Sequence, residues 1–301
     1  MSLRLALTNV VLRLVARPRL RRIADIGQSR REFAFFCRLF LRPPAGVVVD
    51  DRPGDPPLVR FTPAGAGPAP VVLYLHGGGF TVGSPRTHRS VIGRLARSAG
   101  MAAVAPDYRL APEHPFPAAQ DDARAAWDAL VRGGLRPDQI ALAGDSAGGG
   151  LAFGLLADLC AQGTPPFAVV GFSPWVDMTG SGASLRGNAA TDLLLPAERF
   201  GELAGMALGG HPPGDPRASP LFADFPSCPP VHLQASRGEI LLDDSLRLAN
   251  RLRQAGAKVE LRLSSGTPHA WQVMAGLLPE ADAAIDAAAD FLRRHMPADP
   301  R

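Results

Sequence analysis

"IALAGDSAGGG", residues 140 to 150, runs an apolar stretch straight into Gly144-Asp145-Ser146-Ala147-Gly148 and on into the alanine- and leucine-rich "AGGGLAFGLLADLCAQG". A short continuous apolar run reads as a buried strand, and the longer stretch after it as a helix. Glycines on either side of Ser146 permit a sharp strand-to-helix turn that presents one strained hydroxyl at the end of a strand. The helix aims its first amides at the same point, where they favour negative charge. The bland alternative, a glycine-rich turn with Ser146 as an N-cap, is disfavoured by the strand and helix on its two sides.

Working outward, the same alternation continues in both directions. "VVLYLH", "MAAVAPD", "FAVVGFSP", "PVHLQAS" and "KVELRLS" read as strands, with helices at "AAQDDARAAWDALVRG", near 244 to 255 and at 279 to 295. "GVVVDD" and "LVRFTP" are short strands joined by a Pro/Gly turn. Continuously apolar strands separated by helices predict an α/β fold with a mostly parallel sheet covered on both faces. Apolar residues at helical spacing in 3 to 23 and 31 to 41 predict two amphipathic helices ahead of that body. Residues 177 to 220 break the alternation, rich in Gly, Pro and Ser, with one helix candidate, "PAERFGELAGMAL". An insertion that long is expected to be a lid or binding element. It is expected to pack with the N-terminal helices as a cap over the sheet's carboxyl edge. The predicted division is therefore 1–45 as cap helices and 46–301 as the body, with the cap insertion at about 180–215.

A serine hydroxyl needs a base, and the base a carboxylate to orient it. In this arrangement the chain order is Ser, acid, His. Four histidines follow Ser146. His232 lies inside a strand, His211 in the Pro-rich insertion and His295 in the terminal helix. His269 stands in "SSGTPHAW", directly after the last strand, which places it at the carboxyl edge beside Ser146. For the acid, "LQASRGEILLDDSLRLANRL" offers Glu239, Asp243 and Asp244. Asp243 and Asp244 precede a helical run and suit N-cap and helix-dipole work. Glu239 follows Gly238 at the strand exit and is favoured, with Asp243 kept as the alternative.

An oxygen that becomes anionic during attack on a carbonyl needs donors already in place. His76-Gly77-Gly78-Gly79, at the end of "VVLYLH", supplies unobstructed amides at Gly78 and Gly79, and the Ala147 amide is a third. His76 is expected to hold this loop, and Asp145 to brace the turn at Ser146. A phosphate cradle is the competing reading; it fails because the chain has no G-x-x-x-x-G-K-[ST] and a single lysine, Lys258.

"HGGG", "DYRLAPEHPFPAA" (107 to 119) and "GDSAGG" together resemble the hormone-sensitive lipase family of α/β-hydrolases, especially its bacterial esterases, from about residue 45 onward. The resemblance implies an eight-stranded, mostly parallel sheet with a helical cap, and hydrolysis of short-chain acyl esters without a cofactor. Many members carry Asp-Pro-Leu at the acid position. Here Glu239-Ile240-Leu241 stands in its place, as in a subgroup that uses glutamate. It also implies a homodimer through the last strand and helix. In "DYRLAPEHPFPAA", Asp107, Arg109 and Glu113 are expected to form a buried charge network, with His114 outside the chemistry. Trp175, Val176 and Asp177 are expected to line the acyl pocket. Rival readings are a lactonase or amidase using the same residues, and a non-catalytic small-molecule receptor.

The 301 residues are 46% hydrophobic, enough for one large domain. Net charge is +4, but residues 1 to 42 hold ten Arg against Asp25 and Glu32, so the arm carries +8 and the rest −4. A basic arm on a slightly acidic body is not the charge distribution of a nucleic-acid-binding fold. Contact of the arm with anionic lipid is a minor alternative to a solvated face. Three cysteines, Cys37, Cys160 and Cys228, form no disulfide framework and suit a reducing compartment. Arg13 breaks the N-terminal apolar run and no small-residue cleavage site follows before the arginine cluster, so a cytoplasmic protein without membrane insertion is expected.

Overall fold

The strands with unbroken apolar runs become the interior of a single sheet. The computed structural model describes residues 1–22 and 25–297, and among them eight strands pair. They are β1 (Val47–Arg52), β2 (Leu58–Pro63), β3 (Val71–Leu75), β4 (Ala102–Pro106), β5 (Ile140–Asp145), β6 (Ala168–Phe172), β7 (Val231–Ser236) and β8 (Val259–Ser264). Their order is β1-β2-β4-β3-β5-β6-β7-β8. β1–β2 and β2–β4 are antiparallel and the remaining pairs parallel. Every residue of β3 to β7 is buried, whereas β1 and β8, the two edges, are half-exposed and carry charged side chains.

Ten α-helices occur among the described residues. The arm contributes α1 (Leu3–Val11), α2 (Arg17–Arg22) and α3 (Ile26–Phe40), with a π-turn over Leu12–Ala16 between the first two. The body adds α4 (Arg89–Ala99), α5 (Ala118–Arg132) and α6 (Ser146–Ala161). The insertion holds α7 (Ser184–Gly187) and α8 (Phe200–Leu208), and the body closes with α9 (Leu242–Gln254) and α10 (Pro279–His295). Side-chain alternation along the strands splits the core in two. Val71, Leu73 and Leu75 face a cluster with Trp127, Leu151, Leu155 and Leu248 from α5, α6 and α9. Val72 and Tyr74 face the opposite cluster, with Ile92 and Leu95 of α4 and Ile285 and Leu292 of α10.

Three elements differ from expectation, the first being α7, a single turn in the insertion beside the one helix expected there. α4 was not foreseen: it buries Val91, Ile92, Leu95, Ala96 and Ala99, but Gly93, Arg94 and Arg97 interrupt the run and mask its period. α3 begins at Ile26 rather than 31, because Asp25 caps it by accepting from the Gln28 amide at 3.2 Å. The polar Gly27-Gln28-Ser29 of that first turn shows no apolar spacing.

The arm and the insertion touch each other. Arg17 donates to the Ala189 carbonyl, Arg21 pairs with Glu198 at 2.5 Å, and Arg199 donates to the Leu20 carbonyl at 2.8 Å. Arg30 reaches the body, donating to the Thr81 carbonyl at 2.8 Å and pairing with Glu113 at 2.7 Å.

Candidate active site

Because β3 and β5 to β8 are parallel, their carboxyl ends open on one edge and their following loops converge there. Ser146 begins α6 immediately after β5, with φ of +52°. That is a left-handed conformation a non-glycine residue holds only where its surroundings enforce it. Here the Trp175 amide donates to the Ser146 carbonyl at 2.9 Å, and α6 is drawn hard against β3. A Cβ on Gly148 would collide with the carbonyl oxygens of Leu75 and His76, so glycine is what lets the helix approach.

His269 follows β8 in a loop pinned by Ser236, whose hydroxyl donates to the Thr267 carbonyl at 2.6 Å, and by Ser173, which accepts from the Ala270 amide at 3.2 Å. The Ser146 hydroxyl lies 2.8 Å from His269 Nε2, and His269 Nδ1 lies 3.0 Å from Glu239 Oε2. A carboxylate only accepts, so Nδ1 carries the proton and Nε2 is left to accept from the serine. Glu239 is fully buried. The turn carrying it is braced by the insertion: Asn188 donates to the Glu239 carbonyl at 2.8 Å, and buried Asp192 accepts from the Ile240 amide at 2.8 Å. Burial pushes the Glu239 carboxyl up, and the hydrogen bond from His269 only partly offsets it. For His269, burial opposes the charged ring, but Glu239 outweighs it and the net direction is up.

Beside this row lies the glycine loop. Gly78 (φ +120°) and Gly79 (φ +61°) fold a turn in which the Gly78 carbonyl accepts from Thr81 and Val82, at 3.1 and 3.0 Å. Among the described residues, the Gly78 and Gly79 amides donate to no backbone or side-chain acceptor. Ala147, in the first turn of α6, has no intrahelical acceptor for its amide either. A Cβ on Gly79 would come 2.7 Å from a Leu203 methyl, which puts α8 directly over this loop. Beneath it, Asp145 accepts from the Gly77 amide at 3.1 Å and the Tyr74 hydroxyl at 2.8 Å, and faces His88 Nε2 at 3.5 Å. Burial opposes the Asp145 carboxylate, but His88 and Tyr74 overcome it and hold the carboxyl below its usual range. His76 Nδ1 lies 2.9 Å from the Gly77 carbonyl, and its ring stacks on Tyr108 at 4.1 Å. Burial lowers His76 to about 3, leaving a neutral ring.

A family model described as the alpha/beta hydrolase fold matches residues 72–273. An acetyl-hydrolase of Streptomyces hygroscopicus is 41% identical over 223 residues, 74% of this chain and 75% of that protein. An ethyl acetate hydrolase of Pseudomonas putida is 33% identical over 255 residues, 78% of this chain and 75% of that protein. A crystal structure of an esterase from the bacterial hormone-sensitive lipase family superposes with a TM-score of 0.92 at 37% identity, covering 99% of each chain. The chain belongs to the hormone-sensitive lipase family of α/β-hydrolases.

In this hormone-sensitive lipase family member the similarity extends through the arm, beyond the stretch from residue 45 that the motifs marked. Other sequence expectations can be placed against the structure. Asp243, the alternative acid, faces away from His269: its Oδ2 accepts from the Ser184 amide at 2.9 Å, tying α9 to the insertion. Asp244 is buried and accepts from the Val176 and Asp177 amides at 2.8 and 3.0 Å. Neither caps its own helix. The expected network of Asp107, Arg109 and Glu113 does not exist. Arg109 pairs instead with buried Asp122 at 2.7 Å, Glu113 pairs with Arg30 of the arm, and Asp107 is solvent-exposed. One segment's charges found partners on α5 and α3, which sequence adjacency could not show. Trp175 sits between Phe80 (6.2 Å) and Phe200 of α8 (5.2 Å), forming an aromatic wall next to Ser146. Asp177 is turned from that wall and pairs with Arg247 at 2.8 Å.

His232 is fully buried in β7, His211 packs edge-on against Phe116, His295 lies on α10, and His114 is exposed. His88, Asp192 and Ser173 escaped sequence reasoning. Only His88 offered a signal, standing at the start of an unrecognised helix one strand-loop after His76. Among the described residues no group of three or more His, Cys, Asp or Glu side chains is arranged to hold a metal.

Proposed function

We propose that this hydrolase is a serine carboxylesterase for short-chain acyl esters, with Ser146 as nucleophile, His269 as base and Glu239 as the acid that orients it. The Ser146–His269–Glu239 row of hydrogen bonds, at 2.8 and 3.0 Å, carries the reading. Ser146 Oγ attacks the ester carbonyl as His269 Nε2 takes its proton. Glu239 steadies the imidazolium, and the carbonyl oxygen, now anionic, is held by the amides of Gly78, Gly79 and Ala147. Collapse expels the alcohol, which takes the proton from His269. Water, deprotonated by the same nitrogen, then attacks the acyl-enzyme and frees the acid and Ser146.

A cap built from residues 1–45 and about 180–215 limits acyl length. Phe80, Trp175 and Phe200 close the space beside the nucleophile, which supports a short acyl group. Two copies pair through β8 and α10, the free edge strand and its neighbour. The free thiols Cys37, Cys160 and Cys228 support residence in the cytoplasm. No helix among the described residues is long and apolar enough to cross a membrane. Turnover of nitrophenyl esters of increasing acyl length, beside a cyclic ester and an amide of matched size, tests the proposal. Acetate to butyrate esters should lead; preferred turnover of the cyclic ester or the amide contradicts it.

A further inference from the structure

Of the large apolar side chains left exposed among the described residues, all but Val48, Val49, Phe222 and Met296 lie in residues 1–40. They are arranged, not scattered. α1 and the π-turn press Leu5 and Leu12 onto the body, at 1% and 8% exposure. Leu3, Leu7, Val10, Val11 and Leu14 occupy the opposite side of the same helical segment, at 54% to 76% exposure. Their spacing is that of one continuous helical stripe. α3 repeats the inversion: Cys37 is buried, while Phe35, Phe36, Leu39 and Phe40 are exposed, with the rings of Phe36 and Phe40 5.1 Å apart. A helix resting on a body in water ordinarily turns polar residues outward. Apolar patches of this extent mark a surface that meets something else.

The charge around the stripe indicates what that is. Arg4 stands three residues before Leu7, and Arg13 three after Val10, so each borders the stripe on the helix surface. Arg38 precedes Leu39, and Arg42 follows α3. These four, all exposed, pair with no carboxylate among the described residues, unlike Arg19, Arg21 and Arg30, which pair with Glu32, Glu198 and Glu113. Residues 1–42 carry a net +8 while the rest of the chain carries −4. A second copy would bring the same positive face and be repelled. A surface that is apolar below and negative at its rim matches both features, which is the chemistry of helices lying in the plane of a bilayer.

We propose that the outward face of α1 and α3 docks on an anionic lipid surface. The leucine, valine and phenylalanine side chains enter the acyl boundary, and Arg4, Arg13, Arg38 and Arg42 meet the headgroup phosphates. The helices lie on the membrane and do not span it. Because Arg30 of the same α3 holds the Thr81 carbonyl, two residues past the glycine loop, docking would bring the mouth of the Ser146 site to the interface. The docking does not depend on the hydrolytic assignment and is measured without substrate.

The test is co-sedimentation of the full chain with vesicles of phosphatidylcholine alone and with vesicles that also contain phosphatidylglycerol. The expected result is partitioning at least about tenfold stronger onto the anionic vesicles, weakened by salt. Leu7→Glu with Leu14→Glu, and separately Arg4→Glu with Arg13→Glu, should each reduce it at least about tenfold while the melting curve stays that of the wild type. Should either pair disturb folding, Phe35→Ser with Leu39→Ser on α3 provides the same reading. Equal partitioning onto both vesicle types, or binding that survives all these substitutions, overturns the proposal. So does absence of binding in a chain whose dimer is dissolved by Leu7→Glu with Leu14→Glu, since the face would then be a self-interface.

Discussion

Ser146 is held by one unusual torsion and two neighbours, the Trp175 amide on its carbonyl and His269 Nε2 on its hydroxyl. Ser146→Ala should cost about 10⁴-fold or more in kcat toward a short nitrophenyl ester, with the melting temperature little changed. Glu239 gives a prediction with a sign. His269 must be neutral to accept the serine proton, and Glu239 raises its pKa above the ordinary value of about 6.5. Activity should therefore fall as pH drops through a point above that value. In Glu239→Gln the carboxylate is gone but the burial that disfavours the charged ring remains. The acid limb of kcat/KM should move to lower pH while kcat drops by about 10²- to 10⁴-fold. An unmoved limb would show that another carboxylate orients the ring. The letters of the sequence could place Ser146, His269 and Glu239 because each directly follows a recognisable strand. They could not place Arg109 on Asp122 or His88 against Asp145, because those partners lie on elements whose approach only packing decides.

α6 is the element on which the site rests, and its closeness to β3 depends on glycine. Gly148→Ala would force a methyl into the Leu75 and His76 carbonyls, separating helix from strand and displacing the Ala147 amide. The expected cost is about 1–3 kcal/mol or more of stability, read by denaturant titration, with activity lost beyond what unfolding explains. α9 supplies a different test. Burial raises its Asp244 carboxyl to about 8 despite the two amides it accepts from. The folded protein thus keeps a proton that the unfolded chain gives up near pH 4. This group's contribution to stability is complete below pH 4 and lost as pH rises to about 8. Asp244→Asn retains an acceptor for the Val176 and Asp177 amides and cannot ionise. Its melting temperature should match or exceed the wild type's at pH 8 to 9, with less decline between pH 5 and 8. β3 to β7 and α6 were legible because burial on both faces writes an unbroken apolar run. α4 was not, because arginines and a glycine dilute a period that only its buried side needs to keep.

At the scale of the whole molecule, the arm is tied to the insertion through Arg17, Arg21 and Arg199, and the insertion's contacts with the site are specific. Leu203 of α8 lies on Gly79, Phe200 meets Trp175, and residues 188 to 192 brace the turn that carries Glu239. Phe200→Ala should favour longer acyl chains, raising the octanoate-to-acetate ratio of kcat/KM by about tenfold or more, since each methylene admitted is worth roughly that much. Sequence spacing indicated that two helical regions exist outside the body. It could not say which of their faces turn inward, because the apolar stripe that meets water has the same period as the one that meets the core. Everything proposed for this site requires Ser146, activated by His269 and Glu239, to be the nucleophile. Treating the protein with a fluorophosphonate and mapping the adduct by peptide mass tests it most directly. One adduct is expected, on the peptide bearing Ser146, absent from Ser146→Ala and slowed in His269→Ala; an adduct on another residue, or labelling that persists in Ser146→Ala, would rule Ser146 out as the nucleophile.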